Sequence, residues 1–539
     1  MKFKTLFSLF LILIISLTVS AQFSSFRTLS TGGIIDDEIE AILGLTEMTN
    51  IEGFNLYTNL SNFTISEPLI GGSSPNYLIG LKGSLMEMLH LGILSASTKY
   101  SYSDSTISEE RNFMDTNADQ IYDYMSKLTI NQKQSILEDN SANYFGFLYG
   151  NKEGLKAGVS YTKYVNNYNS KINAIFETID SNIVSNDLLL TGYEDYNSNY
   201  DNKYQVDLIN LAGGFATTNM EFVGAINFGF LKNDYSDFYR DTLYEDYAPQ
   251  DPAINNYYKY DDYYNNYYNA PGMNIGFNLK GYYRLNEDSI EFFTGLQNNS
   301  YKPVYYFYDE YTYTEDVYPG IVTDEIYTYL DSLSLLDSQT VIHMTSINWA
   351  IGGKYVKKLD KALFGIGIAF SQYKNSEIDT INYLEYYRET YDDGNGIDDV
   401  NDYTYTETGS YTNEYMYNTL STTLTIPVGI EYNFLTNLFG RLGARTYFSW
   451  SNMYQSSKYL SYSPVIGEYT YGDGSTYQYI IENPSYRNDF ETTGNGSSIS
   501  TYYYYGLGWE ISKNVKIDFM GFSNLTDLST WSVSVNVKF

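Results

Sequence analysis

The sequence predicts an all-β fold, a transmembrane antiparallel β-barrel of about 16 strands, with 14 and 18 as the neighbouring counts. Three observations predict it. Segments along the chain alternate apolar and polar residues with period two, as a sheet with one apolar and one polar face requires. Tight polar turns alternate with much longer stretches. Beyond the amino-terminal leader no apolar run is long enough for a spanning helix, which needs about 20 residues.

Taken from the start, residues 1–21 read as a secretory signal: Lys2 and Lys4, an apolar run over 6–17, then Val19, Ser20 and Ala21 before a mature start at Gln22. Residues 22–52 form a periplasmic tail or a small plug, and the run 36–43 has the pattern of one short helix. The tail is the preferred reading, because so short a segment hardly fills a wide lumen. The barrel occupies 53–539. Its first strand, at 53–61, is the weakest, and it is included because single-chain bacterial barrels have even strand numbers. Hairpin turns fall at 151–154, 218–220, 286–288, 358–361, 436–437 and 513–514, each short and polar. Around the fourth of them Ile347, Trp349, Ile351 and Tyr355 alternate with Ser346, Asn348, Ala350, Gly352 and Lys354, and Phe364, Ile366, Ile368 and Phe370 with Gly365, Gly367, Ala369 and Ser371. At about 10 residues per strand the wall takes about 160 residues. The stretches 103–140, 169–203, 236–271, 301–343, 374–418 and 453–498 are then loops.

The chain ends with Trp531, Val533, Val535, Val537 and Phe539 on one face and Ser532, Ser534, Asn536 and Lys538 on the other. In this closing strand with its terminal Phe, the chain resembles the outer-membrane β-barrels of Gram-negative bacteria, porins and long-chain fatty-acid channels among them. The resemblance implies an outer-membrane location after export by the signal peptide. It also implies insertion by the barrel-assembly machinery into the lipid bilayer, with short periplasmic turns and long extracellular loops.

If the apolar face meets lipid, the other face lines the lumen. Lys156, Lys280, Arg284, Lys354, Arg441, Arg445, Lys516 and Lys538 then point inward against Glu291, Glu431, Glu510 and Asp518. Such residues serve either as charge networks of the wall or as a selectivity field. The formal charge of −33, from 65 acidic and 32 basic residues, therefore falls mostly in the loops, which also carry many of the 62 Tyr. That balance excludes nucleic acid as a partner, since phosphate binding needs clustered Lys and Arg. Tyr suits both packing the loops on one another and stacking on surface glycans. Two loop segments space oxygen ligands as calcium loops do, Asp115, Asn117, Asp119 and Asp123 in one and Asp393, Asn395, Asp399 and Asp402 in the other. They resemble the loops of thrombospondin type 3 repeats and dockerins. Structural calcium there is the only cofactor expected.

The chain has no Cys, which removes disulfides, thiolate metal sites and Cys nucleophiles, and only two His. His343 with Ser346 and Asn348 resembles the residue set of outer-membrane phospholipases. Alternation turns that Ser and Asn to the lumen, however, whereas those enzymes face lipid, and no enzyme is expected. The expected function is a porin or passive transporter of small solutes, the alternative a closed barrel serving as a surface adhesin or ligand-binding platform.

Overall fold

The computed structural model describes residues 23, 25–60, 77–114, 124–182, 187–246, 257–285, 287–317, 325–335, 341–392, 402–481, 489–521 and 531–539. Strands β1 (Asn55–Leu60), β2 (Tyr77–Met86), β3 (Leu89–Met114), β4 (Tyr124–Gly150), β5 (Gly154–Asn182), β6 (Asp187–Ala216), β7 (Met220–Asp246), β8 (Tyr257–Leu285) and β9 (Asp288–Tyr301) pair antiparallel in sequence order. The circuit continues through β12 (Val341–Lys358), β13 (Ala362–Asp392), β14 (Tyr403–Leu435), β15 (Leu438–Tyr462), β18 (Phe490–Ser512), β19 (Val515–Gly521) and β20 (Trp531–Lys538), reached from β9 by its pairing with β12. The weak first strand supplies the closure: Leu60 lies opposite Val533 and Asn55 opposite Lys538. The result is a closed 16-strand antiparallel barrel, the expected count.

The remaining strands are two inserted hairpins. β10 (Val304–Val317) and β11 (Glu325–Leu335) pair with each other and with β8 and β13, above the ends of β9 and β12. β16 (Val465–Tyr471) and β17 (Thr476–Ile481) pair with each other, and β16 also pairs with β14. Pro303 and Pro464 stand in the breaks between β9 and β10 and between β15 and β16. Proline has no N–H for a ladder, so the strand is interrupted there and resumes with one neighbour kept, β8 or β14, and the other exchanged, for β11 or β17.

Side-chain burial is inverted relative to a soluble sheet. Phe222, Ile226, Phe228 and Phe230 of β7 and Met273, Ile275, Phe277 and Leu279 of β8 are exposed, while Glu221, Asn233, Asn274 and Ser534 are buried. A barrel whose outer face is apolar and whose inner face is polar is stable only with lipid around it. It therefore fits an outer-membrane location.

The long stretches correct the expectation of loops. β5, β6, β8, β13 and β14 run 29, 30, 29, 31 and 33 residues, far beyond what a bilayer needs, and the expected loops are largely continuations of the strands. Tyr is the cause: it has high strand propensity, and on neighbouring strands its rings meet. Tyr168 and Tyr200 lie 5.5 Å apart, Tyr200 and Tyr235 5.2 Å, and Tyr239 and Tyr264 5.2 Å, a ladder across β5 to β8. Further round the sheet Tyr383 stacks on Tyr411 at 4.5 Å, and Tyr264 packs against the buried pair Ile381 and Tyr383.

Candidate functional site

The site is built by the segment before the first strand. Ser25 caps a helix over Phe26–Ser30, accepting the Thr28 N–H. A second helix, Glu38–Leu43, begins with a capping box of Asp37 and Glu40, and a 3-10 turn follows over Thr46–Asn50. The short helix expected over 36–43 is present. Its surroundings differ from those of a free tail, since Phe23, Phe26, Ile34, Ile39, Ile42, Leu45 and Met48 are all buried.

Small residues on the inner face of the wall make the room. A Cβ on Gly80 would lie 2.9 Å from Ile39, one on Gly158 3.1 Å from Leu45, and one on Gly365 2.0 Å from Ile34. One on Gly429 would lie 2.3 Å from the Thr31 carbonyl and one on Gly443 2.3 Å from the Gly32 nitrogen. These glycines belong to β2, β5, β13, β14 and β15, spread around the circumference. A segment that touches them all lies within the ring. Here the glycines narrow the effective lumen and let backbone meet backbone, so that even a short segment touches several sides of the wall.

The inward charges meet this segment. Arg27 reaches Glu431 through two hydrogen bonds of 2.8 and 3.0 Å. Arg441, its side chain fully buried, donates to the same carboxylate at 2.7 Å and also to Asp518, which Lys516 approaches at 3.6 Å. Lys280 lies 2.9 Å from Glu47 and 3.2 Å from Glu291, and Lys354 binds Asp36 and, at 3.1 Å, Glu291. Lys156 is 2.7 Å from Glu221 and donates to the Thr46 carbonyl, while Arg284 lies 3.9 Å from Glu221. Arg445 donates to the Gly32 carbonyl at 2.8 and 3.0 Å. Glu510 and Lys538 sit exposed near the turns, Lys538 3.4 Å from Glu52.

Sequence reasoning missed the segment's half of these pairs, Arg27, Asp36 and Glu47, along with Glu221 and the buried Lys82. Glu221 and Lys82 follow the inward alternation and could have been found from it. Lys82 donates to the carbonyls of Ile51 and Gly53 and, at 2.8 Å, to Ser84. His90 joins Ser84 at 3.0 Å and the Gly150 carbonyl at 3.1 Å, a structural role. Ser346 accepts from Asn299 at 3.1 Å, while His343 is exposed. Of the two calcium-like loops, Asp115, Asn117, Asp119, Asp123, Asp393, Asn395 and Asp399 lie outside the described residues. Asp402 is described; it is buried and its carbonyl accepts the Gly472 N–H at 3.0 Å.

Above the segment lies a cavity of about 400 Å³, floored by Phe23 and Leu43 and walled by the inner faces of β4 to β9 with Tyr373 of β13. Leu231, Ala270, Tyr301 and Met344 form an apolar cluster beyond it. The lumen thus holds, in order from the turns, a docked segment, a partly open cavity and a layer of packed side chains.

No protein-family model matches the chain, and no curated protein matches it. Among solved structures it is similar to the pyoverdine outer-membrane receptor of Pseudomonas aeruginosa bound to pyoverdine, at 7% identity and a TM-score of 0.23, covering 91% of this chain and 79% of that one. A ferric enterobactin receptor mutant of Pseudomonas aeruginosa matches at 8% identity and a TM-score of 0.22, covering 90% and 80%. The ferric yersiniabactin uptake receptor of Yersinia pestis matches at 7% identity and 0.20, again covering 90% and 80%. At such TM-scores the likeness carries no inference about ligand or mechanism.

Proposed function

We propose that this barrel is a passage for small solutes across the outer membrane, reached after export by the amino-terminal signal, and that residues 23–52 act as its hatch. The observation that supports this reading is the docking itself: Arg27, Asp36 and Glu47 pair with charges of the wall, and Gly32 and Thr46 offer their carbonyls to Arg445 and Lys156. The docking combines these polar contacts with an apolar seat, where Ile39, Ile42, Leu45 and Met48 pack against Leu78, Leu94 and Leu148 of the wall, and water can replace each hydrogen bond when the segment leaves. The passage is therefore gated rather than permanently open.

A tether tests it. A Cβ built on Gly92 would stand 3.8 Å from the Ile42 Cβ, the spacing of bridged cysteines. The chain has no Cys of its own, so an Ile42→Cys/Gly92→Cys pair forms the single disulfide. In proteoliposomes the oxidised variant should lose solute influx and single-channel openings, and reductant should restore both. Influx that is the same with the bond closed and open would refute the hatch; a parent chain silent under every condition would refute the passage.

A further inference from the structure

The cavity above the hatch has a composition at odds with the rest of the chain. Although the protein carries a formal charge of −33, no Asp, Glu, Lys, Arg or His is among the described residues that line this space. Its wall presents the side-chain amides of Asn210, Asn227, Asn278, Gln297 and Asn299 and the phenols of Tyr144, Tyr164, Tyr204 and Tyr373, with the hydroxyls of Ser160 and Thr162. Only a minority of the lining side chains are wholly apolar.

That lining excludes most ligand classes on physical grounds. An ion brought here would lose its hydration with no opposite charge to offset it. An apolar solute would leave the amides and hydroxyls desolvated and without partners. A neutral solute rich in hydroxyls meets neither cost. Each amide offers a donor pair and an acceptor, which suits adjacent hydroxyls that both give and accept, and Tyr rings offer flat apolar faces for the C–H side of a sugar ring. Tyr164 and Tyr204, both nearly buried, meet edge to face with centroids 6.2 Å apart, so ring faces and edges are both presented at the cavity.

The amides are also held ready. Asn299 receives a hydrogen bond from Asn274 and donates one to Ser346 at 3.1 Å, which fixes its plane. The Asn210 Oδ1 is buried and has no hydrogen-bond partner among the described residues, an acceptor left unpaired in this wall. Glycines make space for the rest: Gly276 lies beside the Asn227 amide, and a Cβ on Gly295 would come within 2.5 Å of the Asn278 Oδ1.

We infer that this cavity binds a neutral polyhydroxylated solute of mono- or disaccharide size. The inference rests on the reading of the barrel as a passage and names its class of substrate, the cavity acting as a waystation above the hatch. A space of about 400 Å³ lies within the usual range of small-molecule sites and admits one such molecule.

Equilibrium dialysis of the full-length protein in detergent micelles tests it, with glucose, maltose, sucrose and trehalose as probes and gluconate and glucosamine as charged controls. At least one neutral sugar should bind saturably, at least about tenfold more tightly than either charged control. Asn227→Leu and Asn278→Leu should each weaken that binding by about tenfold or more, as should Gly295→Ala, which displaces the Asn278 amide while adding only a methyl group. Circular dichroism and heat-dependent gel mobility report whether each variant has folded, and Gly295→Ala keeps the test open where a Leu variant has not. Absence of saturable binding for all four sugars, charged controls that bind as well, or folded variants that bind like the parent would each overturn the inference. Binding without influx would overturn the passage and leave the sugar site standing; influx without binding would do the reverse.

Discussion

Arg441 illustrates how a single side chain sets the energetics of this lumen. Its side chain has no exposed surface and lies between Glu431 and Asp518, so the pair of carboxylates that faces it is desolvated as well. A buried charge pair of good geometry roughly offsets its own desolvation, but removing one member strands the other. Arg441→Met should therefore destabilise the barrel by about 3–5 kcal/mol in urea unfolding from lipid vesicles. Arg27 sits on the other side of the same carboxylate, on the docked segment, and is partly exposed. Arg27→Met should leave barrel stability nearly unchanged and loosen the segment instead, read as faster proteolysis within residues 23–52. Gly443 makes the same distinction sterically. A methyl group there would meet the Gly32 backbone nitrogen at 2.3 Å, and backbone cannot rotate aside as a side chain can. Gly443→Ala should thus unseat the first helix and raise the frequency of channel openings, while a folded barrel remains by heat-dependent gel mobility.

At the scale of elements, the strand extensions and the docked segment behave differently from what alternation alone suggests. The turns at 151–154, 286–288, 436–437 and 513–514 and the closing strand were legible because lipid on one side and polar lumen on the other impose a strict period of two. Beyond the bilayer that constraint ends. In β7, for example, Asn233, Tyr235 and Asp237 still alternate inward, but the outward face is no longer uniformly apolar, and polar outward residues such as Lys232 and Asp234 make the stretch read as a loop. The pairing that keeps it a strand is between chains of rings on β5 to β8, a long-range contact that no local pattern reveals. The same holds for the segment 23–52: its helix was readable from the acidic start and apolar spacing, whereas its place depended on glycines hundreds of residues away in β13 to β15. A continuous ladder has a measurable consequence. Backbone amides over 191–203 and 233–246 should exchange with deuterium as slowly as those of the membrane band, because both sets are hydrogen-bonded across strands. Loops of the same composition would exchange within seconds, and that result would remove the extended sheet.

For the whole molecule, the net charge and the docked segment are connected through protons. The segment carries Asp36, Asp37, Glu38, Glu40 and Glu47 within a short span, and docking takes several of them out of water. Burial, with Asp37 nearby, pushes the Glu40 carboxyl well above its usual range although it accepts the N–H groups of Ser25 and Asp37. Burial also raises Glu38 and Glu47, the latter despite Lys280 beside it. A carboxyl whose value is raised in the docked state holds its proton more tightly docked than free, so docking takes up protons. The docked segment is then most firmly seated at low pH, and its seating weakens as pH rises from the ordinary carboxylate range through the raised docked values. Single-channel recordings of the full-length protein should show rarer openings at pH 5 than at pH 8, the opposite of what neutralising wall salt bridges by acid would produce. Glu40→Gln supplies the control, because the amide oxygen can still accept from Ser25 and Asp37 but cannot ionise. Its openings should depend less steeply on pH than those of the parent. A variant with the parent's full pH dependence would show that the proton is taken up elsewhere.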